Sequence, residues 1–200
     1  MTEAHFRGLL IAGFAAVMTV GLYHRLRSNA SREKLDRWQE GPVILIGLRL
    51  AGAILWLAVF AYMIDPAWMA WSQVALPAWL RVAGAGLCAV CTVLMLWTLR
   101  SLGTNLTDTV VTRRNHTLIT HGPYRWVRHP FYGCMVLLIV AISLLAANWF
   151  FVIAGAVVFS LIGIRTRTEE EHLAARFGDA YRSYMARTGR FVPLLNRRSS

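Results

Sequence analysis

The chain has few charged residues, and lysine is almost absent from it. Of its 200 residues 16% are charged and 56% are hydrophobic, whereas about a quarter of the residues in a soluble domain are charged. Lys34 is the one lysine among 21 basic residues. This shortage of charge, together with long apolar runs, indicates an integral membrane protein.

Several chemical signatures are also missing. The chain has neither a G-x-G-x-x-G segment nor a Walker loop. Its three cysteines lie within apolar runs, so we expect buried thiols and no disulfide framework. His116, His121 and His129 do not have the spacing of metal ligands, and we predict no metal site.

Five apolar runs are long enough to cross, or nearly cross, a bilayer core. The last two meet at "AAN" and predict a tight helical hairpin. The predicted fold is an all-α integral membrane protein with five transmembrane helices and a C-terminal cytoplasmic amphipathic helix. The runs are residues 6–23, 43–64, 79–99, 131–147 and 149–164.

The basic residues cluster between the apolar runs, which argues against a nucleic-acid partner and predicts the membrane topology. Residues 24–42 and 100–130 hold five basic residues each, and the tail from residue 165 holds eight, whereas residues 65–80 hold none. The positive-inside rule then places the N-terminus outside and the C-terminus in the cytoplasm. We expect the inner or plasma membrane of a prokaryote.

The densest polar cluster is "HGPYRWVRHP", residues 121–130, directly before the fourth apolar run. Pro130 suits the first turn of a helix, so the backbone NH groups after His129 predict an anion site. Arg125 and Arg128 add donors for a carboxylate or phosphate. The segment is therefore either a basic membrane anchor or the edge of an active site.

A second ordered segment follows the fifth run. Leu173, Phe177, Tyr181 and Tyr184 form one apolar stripe, which predicts an amphipathic helix at the membrane surface that ends near Gly189.

Three consecutive acidic residues, Glu169 to Glu171, stand where the fifth predicted span ends. An anionic inner leaflet would repel them. They either pair with the arginines of residues 121–130 or bind a ligand, and the sequence leaves both open.

The polar motifs of the C-terminal part of the chain occur in a characteristic order. "GPYRWVRHPFYG", two closely linked spans and "EEEHLAARFGDAYRSYMARTGRFVP" follow one another within residues 118–194. This region resembles the isoprenylcysteine carboxyl methyltransferase family, whose wider group includes the phospholipid N-methyltransferases. The resemblance implies that residues 118–200 form the catalytic, cofactor-binding region and that residues 1–117 form the side from which the substrate enters.

The resemblance also implies S-adenosyl-L-methionine as cofactor and a lipophilic methyl acceptor that arrives from the bilayer. Arg190 would close the site from the tail and, with Arg128 and Glu170, form the catalytic set. If the protein is such a methyltransferase, we expect Glu170→Gln to weaken cofactor binding and to leave the stability of the ligand-free protein nearly unchanged. An equal loss of stability would make Glu170 only a structural partner of an arginine. The implied cofactor wall consists of His121, Gly122, Pro123, Tyr124, Arg128, His129, Pro130, Tyr132, Glu169 and Glu170.

The acceptor itself stays open. A carboxylate acceptor is already nucleophilic and only has to be positioned, which Arg128 or Arg190 could do. An amine acceptor must first lose a proton to a base such as Glu170 or His129. The oligomeric state is not predicted.

Two other functions compete. A membrane reductase that uses NADPH on a sterol or related lipid has a similar C-terminal pattern, although Pro130 favours the methyltransferases. A non-catalytic protein that binds anionic lipid through its arginines is the third possibility.

Overall fold

The computed structural model describes residues 1–29, 42–103 and 118–194, and within these ranges the fold is entirely helical. Two 3₁₀ helices, Pro66–Ser72 and Gly122–Arg125, join the α-helices. The predicted all-α class is confirmed for these residues. The α-helices are α1 Glu3–Asn29, α2 Pro42–Ile64, α3 Ala78–Leu102, α4 Pro130–Ala146, α5 Trp149–Phe177 and α6 Asp179–Arg187.

Helices α1, α2, α3 and α5 are long and apolar enough to cross a membrane. Helix α4 is equally apolar but has 17 residues, or about 25 Å of helix at 1.5 Å per residue. That is short of a bilayer core of about 30 Å. The integral membrane character is confirmed, whereas a count of five spans stays a prediction.

The predicted hairpin between α4 and α5 is confirmed. Ala147 adopts a left-handed conformation with φ of 48°, and the side chain of Asn148 accepts a hydrogen bond from the Phe150 NH to begin α5. Asn148 also donates to Met69 O at 3.1 Å, so the turn is attached to the 3₁₀ helix Pro66–Ser72.

The helices approach closely where side chains are small. A Cβ on Gly84 of α3 would lie 2.9 Å from Ala141 O of α4, so glycine at this position allows the two helices to pack closely. Gly86 does not pack in the same way, because a Cβ there meets no atom within 4 Å. Its backbone faces away from the bundle. The three cysteines, Cys88, Cys91 and Cys134, are buried and free, as predicted.

At the end of the bundle where α1 and α3 begin, a salt bridge and its hydrogen bonds connect four helices. The Arg81 guanidinium lies 2.7 Å from Glu3 and donates to Leu145 O, while Tyr62 donates to Glu3 at 2.5 Å. These contacts join the ends of α1, α2, α3 and α4 and were not predicted.

The C-terminal region departs from the single amphipathic helix expected from the sequence. Helix α5 runs on without interruption to Phe177, and Gly178, with φ of 55°, breaks it before α6 begins. Only glycine adopts this conformation readily. The break turns α6 back toward the bundle, so Tyr181 and Tyr184 are buried in protein instead of facing a membrane surface.

Candidate active site

The 121–130 segment folds over the end of α3 before it enters α4. Gly122 has φ of 61°, and a Cβ there would lie 2.3 Å from Ser101 Oγ, so both the backbone and the space require glycine. Pro123 and Tyr124 are buried behind it. His129 then precedes Pro130 at the first turn of α4, which confirms the predicted helix start.

The C-terminal tail segment, residues 188–194, lies alongside this entry to α4. Gly189 NH donates to Trp126 O at 3.2 Å, Arg128 NH donates to Gly189 O at 2.8 Å, and His129 NH donates to Arg190 O at 3.0 Å. A Cβ on Gly189 would lie 1.7 Å from Val192 O, so no other residue fits this turn. The pairing places Arg190 beside the start of α4.

Glu170 of α5 is the centre of a cluster with Arg128, His129 and Arg190, called here the Glu170 cluster. Its Oε1 lies 2.7 Å from Arg128 Nε and 3.3 Å from His129 Nε2. Its Oε2 accepts from Arg190 Nε at 3.1 Å and also from Arg190 Nη2. With 4% of its side chain exposed, Glu170 satisfies the condition that a buried charge be paired.

The two arginines of the cluster differ in what else they contact. Arg128 Nη1 donates to Met185 O at 3.1 Å and to Thr188 O, so it joins α6 to the entry of α4. The Arg190 side chain remains 34% exposed. Arg190 is therefore the cation that an incoming anion reaches more easily, whereas Arg128 is occupied by the fold.

Tyr132 extends the site along α4. Its ring stacks on His129, with 5.7 Å between centroids and 23° between planes, and its hydroxyl donates to Glu169 Oε2 at 3.3 Å. Tyr132 and Glu169 are both half-buried. They form a polar, partly accessible wall next to the Glu170 cluster.

Three buried tyrosines, two of them on α6, are neutral groups. Tyr184 donates to Tyr124 O at 2.6 Å, and burial raises its pKa to about 12. Burial also raises the pKa of Tyr124 and Tyr181 well above the ordinary value. At neutral pH these phenols are hydrogen-bond donors and not bases.

The structure brings together some of the predicted site residues and separates others. Arg128, His129, Glu170 and Arg190 meet, with Pro130, Tyr132 and Glu169 beside them. The segment His121 to Tyr124 instead packs between the end of α3 and α6, and His121 is exposed. His116 lies outside the described residues, and the described part of the chain holds no group of three potential metal ligands.

Sequence reasoning missed the role of α6 in the site. Tyr181, Tyr184 and Thr188 are buried against residues 124–128, and Thr188 supplies a carbonyl to Arg128. The sequence contains the F-G-x-x-Y-x-x-Y spacing at residues 177–184. An apolar stripe alone, however, does not indicate whether protein or membrane covers it.

An apolar cavity of about 120 Å³ lies between α2, α4 and α5. Its walls include Gly52 and Trp56 of α2, Met135 of α4 and Phe159 of α5. The Phe191 ring of the tail segment lies 5.1 Å from that of Phe159, between centroids, so the cavity begins next to the polar site.

Comparison with known proteins points to one family. Residues 84–175 match the model of the isoprenylcysteine carboxyl methyltransferase (ICMT) family. Protein-S-isoprenylcysteine O-methyltransferase of Schizosaccharomyces pombe is 31% identical over 100 residues, which cover 46% of this chain and 41% of that protein. The cobalt-zinc-cadmium resistance protein CzcN of Cupriavidus metallidurans is 35% identical over 85 residues, or 42% and 39% of the two chains. This chain thus spans about two fifths of the length of the curated relatives it matches.

The fold agrees with the sequence match. A solved structure of the eukaryotic intramembrane Ras methyltransferase ICMT superposes with a TM-score of 0.55 and 22% sequence identity. The superposition covers 94% of this chain and 68% of that one. The resemblance inferred from the motifs is confirmed over residues 84–175, where the chain matches the isoprenylcysteine carboxyl methyltransferase family model.

Proposed function

We propose that the protein is an integral membrane methyltransferase that uses S-adenosyl-L-methionine to methylate a lipophilic acceptor. The main support is one juxtaposition: the Glu170 cluster stands at the start of α4, directly beside an apolar cavity between helices. A polar cofactor and a lipid acceptor can meet at such a boundary. The names of the relatives support methyl transfer.

The residues present fit this cofactor. Its carboxylate suits the start of α4, which has no side-chain cap. Its ammonium or hydroxyl groups suit the half-buried carboxylate of Glu169. When bound, the sulfonium supplies an already activated methyl group, so the chain mainly has to align the reacting groups and exclude water.

A carboxylate acceptor, such as that of a prenylcysteine, agrees better with the geometry than an amine. Both oxygens of Glu170 accept hydrogen bonds from arginines, so this carboxylate is not available as a base. A carboxylate oxygen needs no base, and Arg190 is accessible to place it. The reductase and lipid-binding alternatives receive no support from the relatives.

The proposed topology follows the charge distribution, with the N-terminus outside and the site at the cytoplasmic face of a prokaryotic inner membrane. Residues 118–194 would supply the cofactor site. Helix α2, within residues 1–117, lines the cavity, which agrees with a role of that region in substrate entry.

A thermal-shift titration of the detergent-purified protein tests the cofactor. We expect S-adenosylhomocysteine to raise the melting temperature in a saturable way and NADPH to have no effect. Stabilisation by NADPH alone would instead support the reductase, and no response to either ligand would contradict the proposal.

Gly52→Leu tests the cavity as the acceptor's binding site. Gly52 lines the cavity, and a Cβ there meets no atom within 4 Å, so the backbone tolerates a side chain that reduces the cavity volume. We expect the KM of S-farnesylcysteine to rise about ten-fold or more, the usual effect of altering an apolar pocket. Stabilisation by S-adenosylhomocysteine should not change.

Gly86→Leu is the matched control, because Gly86 is exposed on α3 and also has no neighbour within 4 Å. Equal KM values for the wild type, Gly52→Leu and Gly86→Leu would exclude the cavity as the acceptor site.

A further inference from the structure

Phe191 stands between the two parts of the proposed site. Its ring centroid lies 5.9 Å from that of His129 and 6.4 Å from that of Tyr132, both on the polar side. On the other side it lies 5.1 Å from Phe159, which lines the apolar cavity. The half-buried Phe191 ring therefore lies between residues of the polar site and a residue that lines the cavity.

The backbone holds this ring in place. Residue 190 accepts a hydrogen bond from His129 NH, and the Arg190 side chain is bonded to Glu170. Since Phe191 follows directly, its position depends on the same contacts that assemble the Glu170 cluster. Aromatic edge and tilted contacts with three neighbouring rings favour one orientation.

An acceptor with its polar head near Arg190 and its apolar tail in the cavity has to pass this ring. We propose that Phe191 is the positioning residue of the acceptor: the first apolar carbons of the tail pack on its ring, which fixes how far the head enters the polar site and which tails are accepted. This inference rests on the proposed function. It adds to that function a residue, Phe191, that determines how the acceptor is aligned and which apolar tails the protein accepts.

Phe191→Ala is the test, with S-farnesylcysteine and S-geranylgeranylcysteine as probes. Loss of the ring should raise the KM of S-farnesylcysteine about ten-fold and change the ratio of kcat/KM between the two probes, since apolar pocket contacts have effects of this size. Phe191→Tyr, which keeps the ring, should restore both values. Stabilisation by S-adenosylhomocysteine should equal that of the wild type.

Phe177→Ala serves as the control, because Phe177 is also a half-buried ring and lies at the end of α5. It should leave the ratio between the probes unchanged. If Phe191→Ala lowers cofactor affinity in parallel with turnover, or leaves the probe ratio unchanged, Phe191 is a structural anchor and the inference is wrong.

Failure of this inference is distinguishable from failure of the proposed function. If neither prenylcysteine stabilises the wild-type protein saturated with S-adenosylhomocysteine, the role of Phe191 is overturned. Stabilisation by S-adenosylhomocysteine in the same experiment would still support methyl transfer to another acceptor.

Discussion

Glu170→Gln is expected to lower the free energy of unfolding by about 3 kcal/mol, as removal of one partner from a buried ion pair does. The change leaves Arg128 and Arg190 near each other without the carboxylate that separates and neutralises them. Because these arginines also hold α6 and the tail segment, cofactor binding should fall together with stability. Equilibrium unfolding in mixed micelles and thermal shifts with S-adenosylhomocysteine measure the two effects.

This expectation differs from the one drawn from the sequence, which was that Glu170→Gln leaves stability unchanged. The reason is that Glu170 is 4% exposed and has both oxygens bonded. Glu171→Gln is the matched control, since Glu171 is exposed on the next position of α5 and its loss should change neither quantity. A Glu170→Gln protein as stable as the wild type would show that the Glu170 cluster does not support the fold.

Gly189→Ala should abolish stabilisation by S-adenosylhomocysteine and reduce turnover about 100-fold, the typical cost of displacing a site by an ångström. A Cβ at this position would lie 1.7 Å from Val192 O and 2.9 Å from Val192 C. Both contacts are with backbone, so the tail segment itself has to move. That movement would break the pairing with Val127 and displace Arg190 and Phe191.

The helices should remain folded in this variant, because residue 189 lies beyond the end of α6. Circular dichroism would show whether the helices remain folded, and methyl-transfer kinetics would measure the loss of turnover. Gly163→Ala, on α5 with no atom within 4 Å of the added Cβ, is the control and should retain wild-type kinetics. Normal turnover in Gly189→Ala would mean that the tail segment takes no part in the site.

Features that depend on neighbouring residues could be predicted from the sequence. Apolar run length predicted the membrane-crossing helices, and "AAN" predicted the turn that Ala147 and Asn148 form. Pro130 marked the start of α4 because its ring favours that position. Charge indicated that the three carboxylates at that membrane boundary either pair with arginines or bind a ligand, and the structure shows that Glu170 has arginine partners.

Tertiary structure decided everything that depends on residues distant in the chain. No periodic pattern in the sequence indicates that Val127 pairs with Gly189, because the two paired segments are short and irregular. Tyr181 and Tyr184 form the same stripe whether protein or membrane covers them, so only the fold showed that they are buried beside Tyr124 and Arg128. Hydropathy and helix signals are local, whereas side-chain partnership is a property of the packed chain. The motifs of the family resemblance named all four members of the Glu170 cluster, but only the fold distinguished the occupied Arg128 from the accessible Arg190.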